Sequence, residues 1–329
     1  MDLLSDAILA VRVGRPSSTR LRVGGRWCAR LDPYEGAGFH VVLEGSCWML
    51  AEGGSAIALN TGDAVLLPHG SGHVIADSPA DGPTVEHAVD FAHWSRTASL
   101  DARTAFLDAR TASGGSRRAA PGSRTASLDS PADTELLCGK YRLDRRHTHP
   151  LMADLPDVVH IPARPGRHDE LRSAIALLGY EAASSRPGGA IALPSLLDLL
   201  LVHLVRAWMA DSTTSRWPAA LHDPVVAAAL HALHEDPAHG WSNERLAAHV
   251  GVSRATLARR FTALVGRAPM GYLTWWRLTR AAALLRATPD GLDAIARHVG
   301  YSTPYALSHA FSRQYGTTPG RYRAGLTAG

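Results

Sequence analysis

The sequence predicts a multidomain α+β protein: an N-terminal β-barrel with accessory helices, then an all-α domain in which two helix-turn-helix motifs are joined by a long helix. Three observations predict it. Short alternating apolar runs separated by turn residues fill the N-terminal part. From Gly166 the apolar spacing becomes helical. The stretch from Asn243 to Arg323 then repeats itself.

Composition bounds the reading. A chain of 329 residues is long enough for two domains, and 46% hydrophobic residues supply their cores. The net charge of +4 is unevenly placed: from His222 onward twelve arginines face six acids, an excess of +6 that leaves −2 elsewhere. The basic excess falls where nucleic acid would bind. Lys140 is the only lysine among 34 basic residues. Cys28, Cys47 and Cys138 are an odd number without paired metal spacing, which argues against a disulfide framework. Nothing near them marks a lowered thiol pKa, so redox sensing ranks low. The sequence shows no charged-then-apolar leader and no continuous apolar run of roughly 18 residues, so a cytoplasmic location away from membranes is expected.

Taken in order, Asp2 to Val13 reads as a short amphipathic helix, followed by strands in "TRLRVGGRWCARL", "GFHVVLEGSCWMLAEG", "SAIALNTGDAVLLPHGSGHVIAD" and "TVEHAVDFA". Gly62, Asp63, Pro68, Gly70, His73 and Asp77 resemble the second signature of the cupin superfamily, a small β-barrel. His40, Glu44 and Gly45 resemble a reduced first signature, with Gly38 where the first histidine of the usual H-x-H pair would stand. The segment "TELLCGKYRLDRRHTHPLMADLPDVVHIPA" reads as returning strands that carry Cys138 and His160. Imidazole and thiolate suit zinc, which makes His40, His69, His73 and Cys138 candidate ligands for one zinc or other divalent metal ion. A histidine in a tight loop or a buried cysteine serves equally as a structural group.

Between Ser95 and Pro131 the heptad "SRTASLD" recurs with too few large apolar residues to bury a core, and reads as a disordered insertion. After it, Leu171, Ile175 and Leu178 share one helical face, as do Leu197, Leu200, Leu201, Leu204 and Trp208 on a second helix. That second helix is apolar over most of its circumference. It can bury against the barrel alone or against a second subunit as well.

In the repeat, Ala247, Val250, Gly251 and Ser253 return 49 positions later as Ala296, Val299, Gly300 and Ser302. Leu257, Phe261, Gly266, Pro269 and Tyr272 return 50 positions later as Leu307, Phe311, Gly316, Pro319 and Tyr322. Each copy reads as a short helix, a glycine able to take the left-handed conformation, a capping serine and a second helix. The buried face of that second helix carries Leu257 and Phe261, or Leu307 and Phe311. Its open face carries Ala255, Ala258, Arg259 and Thr262 in the first copy, and Tyr305, Ser308, His309 and Ser312 in the second. Small residues admit close approach, and an arginine can pair bidentately with guanine. Arg254, Arg260, Arg277, Arg280 and Arg313 are further DNA-binding candidates; the first four suit phosphates, although Arg277 and Arg280 could instead pair with acids inside the domain. The helix between the copies starts at Pro269 and is stopped by Pro289. At roughly 27 Å it could hold two readers about one DNA turn apart.

Residues 222–325, with "SRATLARRF", "IARHVGYST" and "HAFSRQYGTTPGRYR", resemble the DNA-binding domain of the AraC/XylS family of bacterial transcription regulators. His309 stands where that family commonly has arginine. The resemblance extends to regulators that fuse a cupin-like sensor to such a reader, and implies a homodimer formed through helices after the barrel. It further implies double-stranded promoter DNA and RNA polymerase as partners, and a small-molecule, metal or redox effector. The expected boundaries are 1–165 for the sensor, 166–211 for the packing helices, 212–222 for a linker and 223–325 for the DNA-binding domain. Two rivals are kept: a cupin-type metal-dependent enzyme with a DNA-binding appendage, and a purely structural barrel. The missing H-x-H pair and the lack of an acid-base constellation count against the enzyme.

Overall fold

The computed structural model describes residues 3–12, 14–79, 85–95, 134–143, 149–184, 186–212 and 215–327. Apart from Ser95, the tandem-repeat segment expected to be disordered lies outside these residues. The chain divides into two compact units, Gly14–Arg142 with Pro156–Ala207, and Met1–Val13 with Leu143–Leu155 and Trp208–Gly329. Residue 165, the expected end of the sensor, falls inside the first of these units. Helix α1 (Leu3–Val11) and the short α2 (Pro150–Ala153) belong with the C-terminal residues.

The sheet unit contains β1 (Ser17–Val23), β2 (Cys28–Leu31), β3 (Ala37–Glu44), β4 (Ser46–Ala51), β5 (Ala56–Asn60), β6 (Ala64–Leu67), β7 (His73–Ala76), β8 (Val89–Asp90), β9 (Thr134–Tyr141) and β10 (Val159–Ile161). They form two five-stranded sheets, β1-β9-β3-β6-β10 and β5-β4-β7-β2-β8. Pairing is antiparallel except between β2 and β8. One core serves both sheets. Leu21, Val42, Val65 and Leu136 enter it from the first, and Cys47, Met49, Leu59 and Ile75 from the second. Among the described residues no ladder joins the sheets, so the expected barrel is a pair of sheets closed by side chains rather than by a backbone ladder.

The turn residues aim the interior groups. Asp63 accepts the Asn60 N–H (2.9 Å) and the Ala163 N–H (2.7 Å), pinning the β5–β6 turn to the chain beyond β10. Gly70 has φ +60°, and a side chain there would strike the Tyr34 carbonyl. Only glycine allows that approach, and the strand that follows begins at His73.

Helices α3 (Asp169–Ala183) and α4 (Gly189–Asp211) follow the strands. Leu197, Leu200, Leu201, Leu204 and Val205 of α4 are buried, and the Tyr141 hydroxyl donates to the Leu197 carbonyl (2.6 Å). An 18-residue window within α4 has mean hydropathy 1.7, long and apolar enough to cross a membrane by length and composition, with 33% of the window buried. Pro194, Asp198, His203 and Arg206 break the run into short pieces, which conceals an average that stays high.

The helical unit continues with α5 (Arg216–His222), α6 (Pro224–Glu235), α7 (Asn243–His249), α8 (Arg254–Val265), α9 (Pro269–Ala287), α10 (Leu292–Val299), α11 (Pro304–Tyr315) and α12 (Pro319–Thr327). The expected linker at 212–222 is therefore largely helix. Trp217 and Ala220 are buried in this unit, and burying that indole stabilises the segment as a helix rather than a tether.

Both turns close as the repeat predicts. Gly251 and Gly300 have φ +70° and +85°. The N–H groups of Val252 and Tyr301 reach back to the carbonyls of Ala247 (3.0 Å) and Ala296 (2.8 Å), satisfying helix-end carbonyls. The caps differ. Ser253 accepts the Thr256 N–H (3.2 Å), but in the second copy it is Thr303 that accepts the Ala306 N–H (3.1 Å). Ser302 was the wrong counterpart, because the inserted residue falls before the cap and not after it. Thr303→Ala is accordingly expected to cost about 1 kcal/mol in urea denaturation, and Ser302→Ala less than about 0.5 kcal/mol.

Helix α9 runs from Pro269 and ends before Pro289, about 28 Å at 1.5 Å per residue. It is buried over more than the stripe expected, because both helix pairs use it. Leu278, Ala282 and Leu285 join Ile295, Val299, Leu307 and Phe311 in one cluster, while Tyr272 meets Phe261 of α8 at 5.7 Å. Arg323 donates to the Leu285 and Asp290 carbonyls (3.2 and 2.7 Å), and Arg286 to the Tyr322 hydroxyl (2.6 Å), so the terminal Tyr-Arg pair secures the far end of α9.

A buried polar chain joins the three segments of this unit. The Leu151 N–H donates to His149 Nδ1 (3.0 Å), which leaves His149 Nε2–H to donate to the Tyr272 hydroxyl (3.3 Å). Tyr272 then donates to His234 Nε2 (2.8 Å), and His234 Nδ1–H to the Asp6 carboxylate (2.9 Å). One backbone N–H thus fixes every proton in the series.

Candidate functional site

On α8, Leu257, Phe261 and Val265 are buried, and the opposite face presents Ala255, Ala258, Arg259 and Thr262 to solvent. On α11, Leu307 and Phe311 are buried. Tyr305 (81% exposed), His309 and Arg313 stand out, while Ser308 and Ser312 are half-buried. Each helix therefore offers a continuous polar or small-residue face backed by an apolar anchor. That is the arrangement a groove-entering helix needs.

The sheet unit contains a cavity of about 500 Å³ whose wall includes Ser18, Tyr34, His40, His73, Phe91 and Cys138. Three of its groups form a second ordered chain. His73 Nδ1–H donates to the Ser71 carbonyl (3.0 Å), leaving His73 Nε2 to accept from His40 Nε2–H (2.7 Å) and His40 Nδ1 to accept from the Cys138 thiol (3.0 Å). Burial holds both imidazoles below their ordinary pKa, His73 adding to the effect on His40. Burial also pushes the Cys138 thiol up, and brings Cys47 to about 12. The three groups are neutral at pH 7. A thiol so raised is a poor nucleophile.

The expected convergence of His40, His69, His73 and Cys138 on one metal ion is not found. His40 turns opposite ring nitrogens to Cys138 and His73, so no single point lies within ligand distance of all three groups. His69 is half-buried at the β6–β7 turn. Among the described residues no three His, Cys, Asp or Glu side chains are placed to hold an ion.

A Cupin family model matches residues 2–210, and a helix-turn-helix domain model matches residues 246–325. A protein of Streptomyces lividans described as an AraC-like transcription regulator is 34% identical over 326 residues, covering 98% of each chain. The chain belongs to the AraC family of transcription regulators. Another relative, the HTH-type transcriptional regulator MtrA of Neisseria gonorrhoeae, is 26% identical with 98% of each chain covered. Among solved structures, the DNA-binding domain of the global transcriptional factor AdpA, in complex with a target DNA, is 36% identical. It covers 32% of this chain and 95% of that one, with a TM-score of 0.31.

For a DNA-binding AraC-family regulator the placement of the arginines matters, and here the structure sorts them. Arg259 and Arg313 are exposed on the two helices. Arg254 pairs with Glu244, whose carboxyl that hydrogen bond holds down at about 2. Arg280 lies 3.4 Å from His298 Nε2 and 5.9 Å from the Trp276 ring centre. Two of the arginines expected at phosphates have partners inside the domain. Arg260 donates through Nε and Nη2 to Asp223 (3.0 and 2.5 Å), which itself caps α6, and Arg277 donates to backbone carbonyls. These guanidiniums brace the AraC-type domain from within.

Sequence reasoning missed Tyr34. A Cβ at Gly38 would strike its hydroxyl, so the place of the absent first cupin histidine is taken by a tyrosine from the preceding loop. The glycine at that position was the available signal. Neither the Tyr34 hydroxyl nor Ser18 Oγ, both buried, has a hydrogen-bond partner among the described residues.

Proposed function

We propose that this AraC-family regulator reads two successive major-groove segments on one face of promoter DNA with α8 and α11, under the control of a small molecule held in the sheet-unit cavity. The observation that carries the reading is the exposed row Ala255, Ala258, Arg259 and Thr262 above the buried Leu257 and Phe261, with its counterpart on α11. The two pairs act as helix-turn-helix motifs joined by α9, whose length of about 28 Å suits readers spaced near one DNA turn. Hydroxyl-radical footprinting of the full-length protein on a selected duplex tests this. Two protected segments about 10 base pairs apart on one face are expected, and a single protected segment would overturn it.

The cavity reading rests on Tyr34 and Ser18, two buried hydroxyls that line it without partners among the described residues. With His40, His73 and Cys138 all neutral, its inner wall suits hydroxyl or carbonyl oxygens of a small molecule, and Arg30, Asp32, Asp90 and Lys140 add charged groups to the lining. Tyr34→Phe is expected to raise the effector concentration for half-response about tenfold, for loss of one buried hydrogen bond. Elemental analysis guards the alternative: about one metal ion per chain, lost in both His73→Ala and Cys138→Ala, would replace the organic-effector reading with a metal one. The exposed apolar side chains Leu177, Tyr180, Ile191 and Leu199 on α3 and α4 support a homodimer interface. In this reading the protein works in the cytoplasm as an activator that engages RNA polymerase, and performs no catalytic step.

A further inference from the structure

Arg277 sits where three parts of the helical unit meet. From α9 its Nε donates to the Pro237 carbonyl (2.7 Å) and its Nη2 to the His239 carbonyl (3.0 Å). Both carbonyls belong to the loop that leads from α6 into the first helix pair. That loop is stiffened by its own bonds, since the His239 N–H donates to the Asp236 carboxylate and Trp241 Nε1–H to the Asp236 carbonyl, each at 3.0 Å. On the other side lies Gly300, the turn glycine of the second pair. A Cβ there would stand 2.7 Å from Ala238 Cα and 3.0 Å from the Arg277 Cζ and Nη2 atoms.

The loop feeding one reader therefore lies against the turn of the other, with the guanidinium clasping both to α9. A single helix between two readers can bend and twist. A second contact off its axis removes that freedom. The planar fork of arginine suits the task, because two fixed donors set the distance and the angle of the loop together.

We propose that Arg277 is a positioning residue that fixes the offset of α11 from α8, and so sets the spacing between the two DNA segments this protein accepts. The proposal rests on the two-reader reading above.

The test uses the full-length chain and duplexes recovered by selection from a random pool, then resynthesised with zero, one or two base pairs inserted between the segments. One inserted pair shifts the second groove by about 3.4 Å and turns it by about 35°. Wild-type affinity is expected to fall at least about tenfold for that insertion. In Arg277→Ala the same insertion should cost no more than about threefold, with base preference inside each segment unchanged. Arg277→Lys keeps the charge without the fork and should behave as the alanine variant does. Should Arg277→Ala not fold, Arg277→Gln supplies the comparison.

A variant that keeps the full spacing penalty overturns the proposal. So does rescue by lysine together with a salt slope lowered by about one in the alanine variant, which would place Arg277 on a phosphate. If the wild type tolerates the insertion and also the scrambling of one segment, the two-reader reading fails and the proposal with it. If the wild type needs both segments while the variants match its penalty, only the proposal fails.

Discussion

His234→Ala is expected to destabilise the helical unit by about 3–5 kcal/mol, the range found when one partner of a buried charge-bearing pair is removed. His234 and Asp6 side chains are each 2% exposed, so the Asp6 carboxylate would be left without its donor and without water. Tyr272 would lose the acceptor for its hydroxyl proton, and Trp276 the imidazole stacked on it at 4.0 Å. Asp6→Asn should cost less, because an amide oxygen still accepts from His234 Nδ1–H. Urea denaturation of the full-length chain, followed by tryptophan emission, separates the two variants. A loss under about 1 kcal/mol for His234→Ala would show that the chain of hydrogen bonds contributes little.

The same groups give this unit a pH dependence. Burial holds both His149 and His234 below the ordinary imidazole value, in His234 against the opposing pull of Asp6. The unfolded chain takes protons on these residues near pH 6.5, while the folded chain resists them until lower pH. Their effect on stability is therefore favourable above about pH 6.5 and is lost as the pH falls below it. His234→Gln should flatten that acid limb.

The second large effect is on recognition. Arg259→Ala is expected to cost about 1–3 kcal/mol at one base pair and to relax the preference there, leaving other positions as they were. Arg259 projects from the exposed face of α8 two residues after Leu257, so its removal leaves the anchor intact. Arg260→Ala offers the contrast. With Asp223 deprived of its partner, stability should fall while the base preference of correctly folded protein stays unchanged. Selection from a random duplex pool at one fixed salt concentration distinguishes these outcomes. A uniform weakening across all sequences in Arg259→Ala would place this side chain on a phosphate instead.

The helical unit was legible because its signals are local. The left-handed glycines at 251 and 300, the cap at Ser253, the proline-bounded α9 and the apolar pairs at 3-4 spacing all lie within a few residues of what they control. At Ser302 the repeat misleads, because the inserted residue falls before the cap and moves it to Thr303. The exposed faces of α8 and α11 follow from the same periodicity. What periodicity cannot say is which arginine has an internal partner. Arg260 meets Asp223, 37 positions away, and Arg277 meets the loop 40 positions before it. The cavity was half legible for a similar reason. Residue type alone marks His40, His73 and Cys138, but the hydrogen-bond chain that makes them neutral depends on which ring nitrogen faces which neighbour, and that is set by how β3, β7 and β9 pack.

The carboxylate of Asp6 is made 228 residues before the imidazole that receives it. At about 5–20 residues per second, roughly 10–50 s separate the two on the ribosome. Through most of that interval α6 and α9, the helices against which α1 packs, are not yet made, whereas strands β1 to β10 can already pair with one another. The sheet unit is thus free to fold as it emerges, and the helical unit can close only near the end of translation. Slowing elongation would lengthen the exposure of the apolar face of α1, and a chaperone that shields it would matter most to this part of the molecule.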